Sequence, residues 1–392
     1  MLAPLSFPTK VERNGRYPAP RVAIVSDPLV QRGGAERVVE TIAAAYPDAP
    51  IFAVLYSPQT GPASIASRVV PSWLQNVSGA ARRHRMFLPF YPSAVESFDL
   101  RAFDVIISSH HSLAKGVLRS ANQVHICYCH SPMRALWERT HEEIGSLPKI
   151  GRPAARALFS HLRSWDYATA ARVDQYIANS RITQLRIAKH YGRESKVISP
   201  PIDVERFTPG GEVGDYYLVA SRMVPYKRID IAIEATRLLG RRLIVTGNPP
   251  KGGDFPAHVE FAGVVDDPRL VALMRGARAL IYPQLEDFGM APLEMNACGR
   301  PVVAYGAGGA LETVVDGTTG ILVPEQSAPA FAAALERFEA TSFDPKVLRA
   351  HAETFAAPIF TDRIKWVVER AYAELIDDRA TRRLSVVNSR PE

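Results

Sequence analysis

The chain has 392 residues, 47% of them hydrophobic and 22% charged, which excludes a largely disordered protein and predicts two domains rather than one. No apolar run reaches the roughly 18 residues that a membrane-spanning helix needs. The net charge of +7 is uneven: residues 1–205 hold 25 Lys/Arg and 16 Asp/Glu, while residues 206–392 hold 22 and 24, so the basic excess lies in the first half, open to nucleic acid, an anionic membrane or a phosphorylated ligand.

Residues 1–20 contain four prolines and several charges but no apolar core, and read as a flexible leader rather than a secretory signal. From residue 21, runs rich in Val, Ile and aromatics (RVAIVSD, IFAVLY, FDVIISS, QVHICYCH, QYIANS, KVISPP) alternate with helical stretches such as 35–46 and 154–173. That is the rhythm of βα units and a parallel sheet. The Pro- and Gly-rich stretch SPPIDVERFTPGGEVGD (199–215) reads as a linker, dividing a domain over 21–205 from one over 206–358. A second series follows: YYLVASRM, RRLIVTGN, VEFAGVV, ARALIYP and RPVVAYGAGG. The last helix is expected over about 360–377, in a segment taken as 359–380, with a frayed tail over 381–392.

The expected fold class is therefore α/β, two doubly wound Rossmann-like domains facing a central cleft, with chemistry at the carboxyl ends of the strands. Cys127, Cys129 and Cys298 leave one cysteine unpaired in any scheme, which suits a reducing cytoplasm. Cys127 and Cys129 are expected on opposite faces of their strand, an arrangement that argues against a zinc site shared with His130.

Several strand ends carry candidate chemistry. Gly33 and Gly34 precede a helix expected near Ala35, so a ligand can approach the backbone and meet free N–H groups, although the pattern equally suits a tight turn. His130 ends the fourth strand, able to donate to a sugar hydroxyl or phosphate oxygen, and either His110 or His111 is expected to line the cleft. In SRMVPYKRID, Arg222 and Lys227 form a cationic loop suited to a diphosphate. In PQLEDFGMAPLEMNACGRPVV, Glu286 precedes a helix that carries Pro292 in its first turn, Glu294 within it and Gly299 at its end. The N–H groups around Phe288, Gly289 and Met290 then face forward from a positive helix end. Gly306, Gly308 and Gly309 repeat the strand, glycine loop and helix device. Two carboxylates alone suggest a glycoside hydrolase, but cations and glycine loops fit a departing phosphate better.

Taken in order, GGAERVVE, HSPMR, SRMVPYKR, EDFGMAPLE with ACGRPVV, and GALETVVDGTTGILV resemble retaining glycosyltransferases of the GT-B fold, in glycosyltransferase family 4, over about residues 21–375. The resemblance implies that Arg222 and Lys227 hold the donor diphosphate. It implies that Glu286 contacts the transferred sugar near the Phe288 and Gly289 amides, and that Glu294 binds the ribose. His130 would approach the donor sugar and phosphate, Gly33 and Gly34 would face the reaction centre, and the C-terminal helix would cross back to the first domain. No metal or other cofactor is implied. CYCHSPMRALWE resembles bacterial mannosyltransferases that build O-antigens and exopolysaccharides from GDP-mannose; a UDP-sugar enzyme or a nucleotide-sugar epimerase of the same fold is the alternative. Ser221 and Tyr226 depart from the family's usual Gly and acidic residue.

The acceptor side has one further signal. Within ARRHRMFLPFYP (80–91), Arg82, Arg83 and Arg85 adjoin Phe87, Leu88, Phe90 and Tyr91, a pattern suited to an anionic membrane surface on the cytoplasmic side. A lipid-linked oligosaccharide acceptor follows as an expectation, with His111 a further acceptor candidate. Nucleic acid would account for the basic half but not for Glu286 and Glu294, and is not expected as a partner.

Overall fold

The structure, a computed structural model, describes residues 18–249 and 255–388, and for residues 380–388 the backbone alone. Most of the expected leader and the last four residues of the expected tail lie outside the described residues. The chain divides into two compact units, residues 1–198 with 360–392, and residues 199–359.

The first unit is built on seven parallel strands: β1 (Val22–Ser26), β2 (Ile51–Ala53), β3 (Val69–Pro71), β4 (Val105–His110), β5 (Val124–Cys129), β6 (Gln175–Ala178) and β7 (Ser195–Val197). Their spatial order is β3-β2-β1-β4-β5-β6-β7. Both faces are covered, which is why these strands are continuous β-branched runs rather than alternating ones. The two-residue period then sorts the side chains. Val22, Ile24, Val105 and Ile107 meet Val38, Val39 and Ile42 of helix Gly34–Ala45, whereas Ala23, Val25 and Ile106 meet Leu113, Leu136 and Leu162 on the other face. Helix Ala357–Asn388 lays Phe360, Ile364, Val367, Val368 and Tyr372 on the first of these faces. Each large side chain so buried contributes about 1.5–3 kcal/mol. This helix runs well beyond the expected 360–377, because nothing between Asp377 and Asn388 breaks it.

The second unit has six parallel strands: β8 (Tyr217–Val219), β9 (Leu243–Val245), β10 (Val259–Phe261), β11 (Leu280–Tyr282), β12 (Val302–Tyr305) and β13 (Gly320–Val323), ordered β10-β9-β8-β11-β12-β13. Two strands, β3 and β13, stand beyond the series read from sequence; both are edge strands, short or opened by a glycine, so their hydrophobic signal is weak.

The stretch 199–215 is not simply a linker. Ile202 pairs with Ala356 and its N–H donates to Phe355 O at 2.8 Å, Phe207 is fully buried, and Arg349 Nη1 donates to the carbonyls of Val204 and Phe207. Its prolines and glycines shape a strap packed on the second unit. Cys127 and Cys129 also correct the reading above: two residues apart in β5, they share one face, and both sit in the cluster with Val173, Tyr176 and Tyr191. The three cysteines are free and buried.

Candidate functional site

In an open parallel sheet the connections leave in opposite directions on either side of the strand where the order reverses, opening a crevice at the carboxyl ends of the two strands. In the second unit that point lies between β8 and β11. The loop after β8 carries Arg222 and Lys227; the loop after β11 carries Glu286, Phe288 and Gly289 and opens helix Met290–Ala297. Topology thus places on adjacent loops two segments about sixty residues apart in sequence.

Lys227 closes the short 3-10 turn Pro225–Lys227, and its ammonium donates to Glu286 Oε1, both side chains being largely covered. The Tyr226 ring lies 5.6 Å from the same ammonium, so the aromatic at this position offers the cation a negative face. Arg228, next in sequence, takes the left-handed conformation at φ 50°, held by Asp230 (3.1 Å) and Gln326 (3.4 Å). Arg222 stands exposed on the same loop. Opposite, Gly289 has φ 86°, and a Cβ there would meet the Tyr282 hydroxyl at 2.5 Å, so both conformation and space require glycine. Burial pushes the Tyr282 hydroxyl well above its ordinary pKa, with Glu286 adding to it.

Phe288 is buried, its ring in a cluster with Ile202, Val204 and Leu293 and 6.0 Å from Phe355. Its side chain therefore anchors the loop, while the backbone of Phe288–Met290 leads into the helix start. Glu294 is buried within that helix. The glycines after β12 pack against the loop after β11. Gly309 N–H donates to Glu286 O at 3.0 Å, a Cβ on Gly308 would lie 2.5 Å from that oxygen, and one on Gly309 would overlap the Phe288 carbonyl. They let one loop support the other, and the helix that follows, Ala310–Thr313, is a single turn.

The first unit has its own switch point, between β1 and β4. Asp27, at the end of β1, accepts N–H donations from His111, Ser112, Leu113 and Ala114 at 2.7–3.0 Å, fixing the loop after β4. His111 is 38% exposed, with Nδ1 3.5 Å from Asp27. His110 instead points inward, fully buried, and its Nε2 pairs with Tyr191 OH at 3.1 Å, so of the two it is His111 that faces the loop. His130 Nε2 pairs with Ser109 Oγ at 2.8 Å and its ring stands 6.2 Å from that of His111. Burial, with His111 adding to it, holds its pKa down to about 3, so it is a neutral hydrogen-bonding group near pH 7. Gly33 is extended, at φ −155°, and caps helix Gly34–Ala45 with no side chain over the helix end. The expected start at Ala35 moves back by one residue, to Gly34.

Arg82, Arg83 and Arg85 are exposed, and Met86 and Phe90 stand out beside them on the 3-10 helix His84–Phe90. Phe87 and Leu88 lean onto the core, and Tyr91, expected at the surface, is buried with its hydroxyl donating to His84 O at 2.9 Å. Among the described residues no three His, Cys, Asp or Glu side chains gather as a metal site, and no helix is long and apolar enough to cross a membrane.

Asp27 escaped the sequence reading, although an acid directly after the first strand run was a usable signal. Its four partners are backbone groups more than eighty residues away, which no spacing rule exposes.

Residues 32–206 match the family described as Glycosyltransferase Family 4, and residues 212–354 match Glycosyl transferases group 1. The chain is a GT-B protein built from these two domains. Among curated relatives, the D-inositol 3-phosphate glycosyltransferase of Kribbella flavida is 34% identical over 200 residues, 41% of this chain and 47% of that protein. The protein of the same name from Geodermatophilus obscurus is 32% identical over 228 residues, 47% and 50% of the two chains. The GT-B chain spans about half the length of the curated relatives it matches. Among solved structures, sucrose-phosphate synthase from Thermosynechococcus elongatus superposes with a TM-score of 0.69 at 17% identity, over 90% of this chain and 100% of that one. Anabaena HepE in complex with UDP and glucose gives 0.65 at 19% identity, over 89% and 100%. These likenesses carry the fold.

Proposed function

We propose that this GT-B protein is a retaining glycosyltransferase that moves an α-sugar from a nucleoside diphosphate to a hydroxyl. The observation that carries the reading is the meeting of Lys227 with Glu286 beside the start of helix Met290–Ala297, at the β8/β11 switch point. As the sugar–phosphate bond breaks, positive charge develops on the sugar and negative charge on the leaving diphosphate. Groups aimed at those charges lower the barrier selectively. Lys227 and Arg222 serve the diphosphate, with the amides of Phe288–Met290 adding helix-end donors. An arriving diphosphate competes with Glu286 for the Lys227 ammonium, which frees the carboxylate to hold sugar hydroxyls. Glu294 takes the ribose. On this reading the reaction needs no metal, and the first unit, with His130, His111 and the Gly33–Gly34 turn, serves the sugar and acceptor.

The proposed donor is GDP-mannose, on the resemblance of CYCHSPMRALWE. A UDP-sugar is the second reading, favoured by the likeness to HepE with bound UDP and glucose. The proposed acceptor is a lipid-linked oligosaccharide of cell-surface polysaccharide synthesis, met at the inner face of the cytoplasmic membrane by Arg82, Arg83, Arg85 and Phe90. Thermal unfolding with GDP, UDP, GDP-mannose and UDP-glucose tests the donor, because a ligand at 100 times its Kd adds about 2.7 kcal/mol to the folded state. Stabilisation by GDP-mannose above the UDP compounds supports mannosyl transfer. Stabilisation by UDP-glucose alone selects the second reading, and stabilisation by none refutes both.

A further inference from the structure

Outside the switch points, the first unit holds a cavity of about 500 Å³ whose lining includes Trp137, Glu138, His141, Arg152, Arg156 and Arg163. Three of these arginines stand on helix Arg152–Thr169 at spacings of four and seven residues, which puts them on one stripe of its surface. The first acid in that helix is Asp166, and it is buried and engaged elsewhere, 2.6 Å from the Lys115 ammonium. The helix also begins with cations, although its amino end is the positive end of the dipole and like charges four apart repel. Breaking two local rules at one place marks a site that a ligand anion would relieve.

The partners of the three arginines sharpen the point. Arg152 donates to the carbonyls of Leu147 (3.0 Å) and Gly145 (2.7 Å), and Arg163 to Leu136 O (2.8 Å) and Thr140 Oγ1 (3.2 Å). These neutral acceptors orient the guanidinium groups and leave their charge uncompensated. Arg156 pairs with no carboxylate among the described residues. Glu138, the acid in the lining, lies 2.5 Å from Arg186 and 3.6 Å from Arg134. Two residues before Arg152, Ile150 is 94% exposed, and Leu147, whose carbonyl Arg152 holds, is exposed as well. Planar forks suit pairs of phosphate oxygens, and the cavity exceeds what one phosphate fills.

We propose that this cavity binds a diphosphate group, distinct from the donor diphosphate of the second unit. As the anchor of a diphosphate-linked acceptor, with Ile150 and Leu147 against its hydrocarbon, it rests on the acceptor proposed above. A free diphosphate drawn from solution presents the same chemistry, and the test separates the two sources.

Binding of inorganic pyrophosphate and of farnesyl diphosphate to the full chain is measured by calorimetry, for the native protein, Arg156→Gln, Lys227→Ala and Ile150→Ser. Arg156 takes part in no hydrogen bond or ion pair among the described residues, so its loss spares the fold. The expected result is binding that survives in Lys227→Ala and weakens about tenfold or more in Arg156→Gln. Tighter farnesyl diphosphate binding that falls to the pyrophosphate level in Ile150→Ser supports the pocket with a lipid source; equal binding of both supports it with a free diphosphate. Binding that needs Lys227 and ignores Arg156, or no binding of either probe, overturns the pocket. Nucleotide-sugar stabilisation is followed in the same variants: its failure with Arg156-dependent binding intact would sink the donor reading alone.

Discussion

Replacing Lys227 by alanine tests the donor site at its most exposed assumption. The ammonium sits on Glu286 and faces the Tyr226 ring, partly screened from water by both. A unit charge about 4 Å from a developing phosphate charge, in surroundings of effective dielectric near 20, interacts by about 4 kcal/mol. Loss of one preorganised donor accordingly costs about 3–4 kcal/mol of barrier, a fall of roughly a hundredfold to a thousandfold in kcat. Folding should suffer far less, since the Lys227–Glu286 pair retains contact with solvent and such pairs contribute about 1 kcal/mol at most. The assay is steady-state transfer, or donor hydrolysis, with the preferred nucleotide sugar, run beside urea unfolding of the same preparation. Glu286→Gln, which keeps shape and removes charge, should slow turnover as well. A Lys227→Ala protein that folds normally and retains kcat within threefold would refute the role given to this ion pair.

The remaining expectations are independent of the donor's identity. Gly309→Ala should destabilise the second unit by about 1–3 kcal/mol, because its Cβ would overlap the Phe288 carbonyl; unchanged urea unfolding would contradict that packing. Asp27→Asn should cost about 2–3 kcal/mol, since one carboxylate receives four backbone N–H groups, and a variant as stable as the native chain would show the loop holds itself. His125 and His130 are both pushed by burial to a pKa of about 3. The unfolded chain therefore takes up protons first as pH falls below about 6.5, and stability present above that value is lost toward pH 3, by about 1.4 kcal/mol per pH unit for each histidine. His130→Gln should flatten the slope measured by urea titration between pH 7 and 4; an identical slope would place this histidine in water. Arg82→Gln/Arg83→Gln/Arg85→Gln should abolish salt-sensitive binding to anionic vesicles, at about 1 kcal/mol per charge, and undiminished sedimentation with vesicles would remove the segment from any membrane role.

Much of this protein was legible in its sequence because the signals are local. Continuous β-branched runs announce strands buried on both faces, and glycine and proline punctuation gave the end of helix Met290–Ala297 within two residues. Arg222, Lys227 and Glu286 stand out by residue type after strand ends, and Glu294 by its place on the helix that follows. Tertiary structure alone decided what those residues do to one another. Only the strand order, in which β8 lies beside β11, brings Lys227 onto Glu286. The glycines after β12 support a neighbouring loop, which their spacing does not reveal, and the stretch 199–215 looked like a linker and instead packs on a core. In each case the deciding partner is distant in sequence, and a one-dimensional pattern records which side chains are available but not which backbone they will meet.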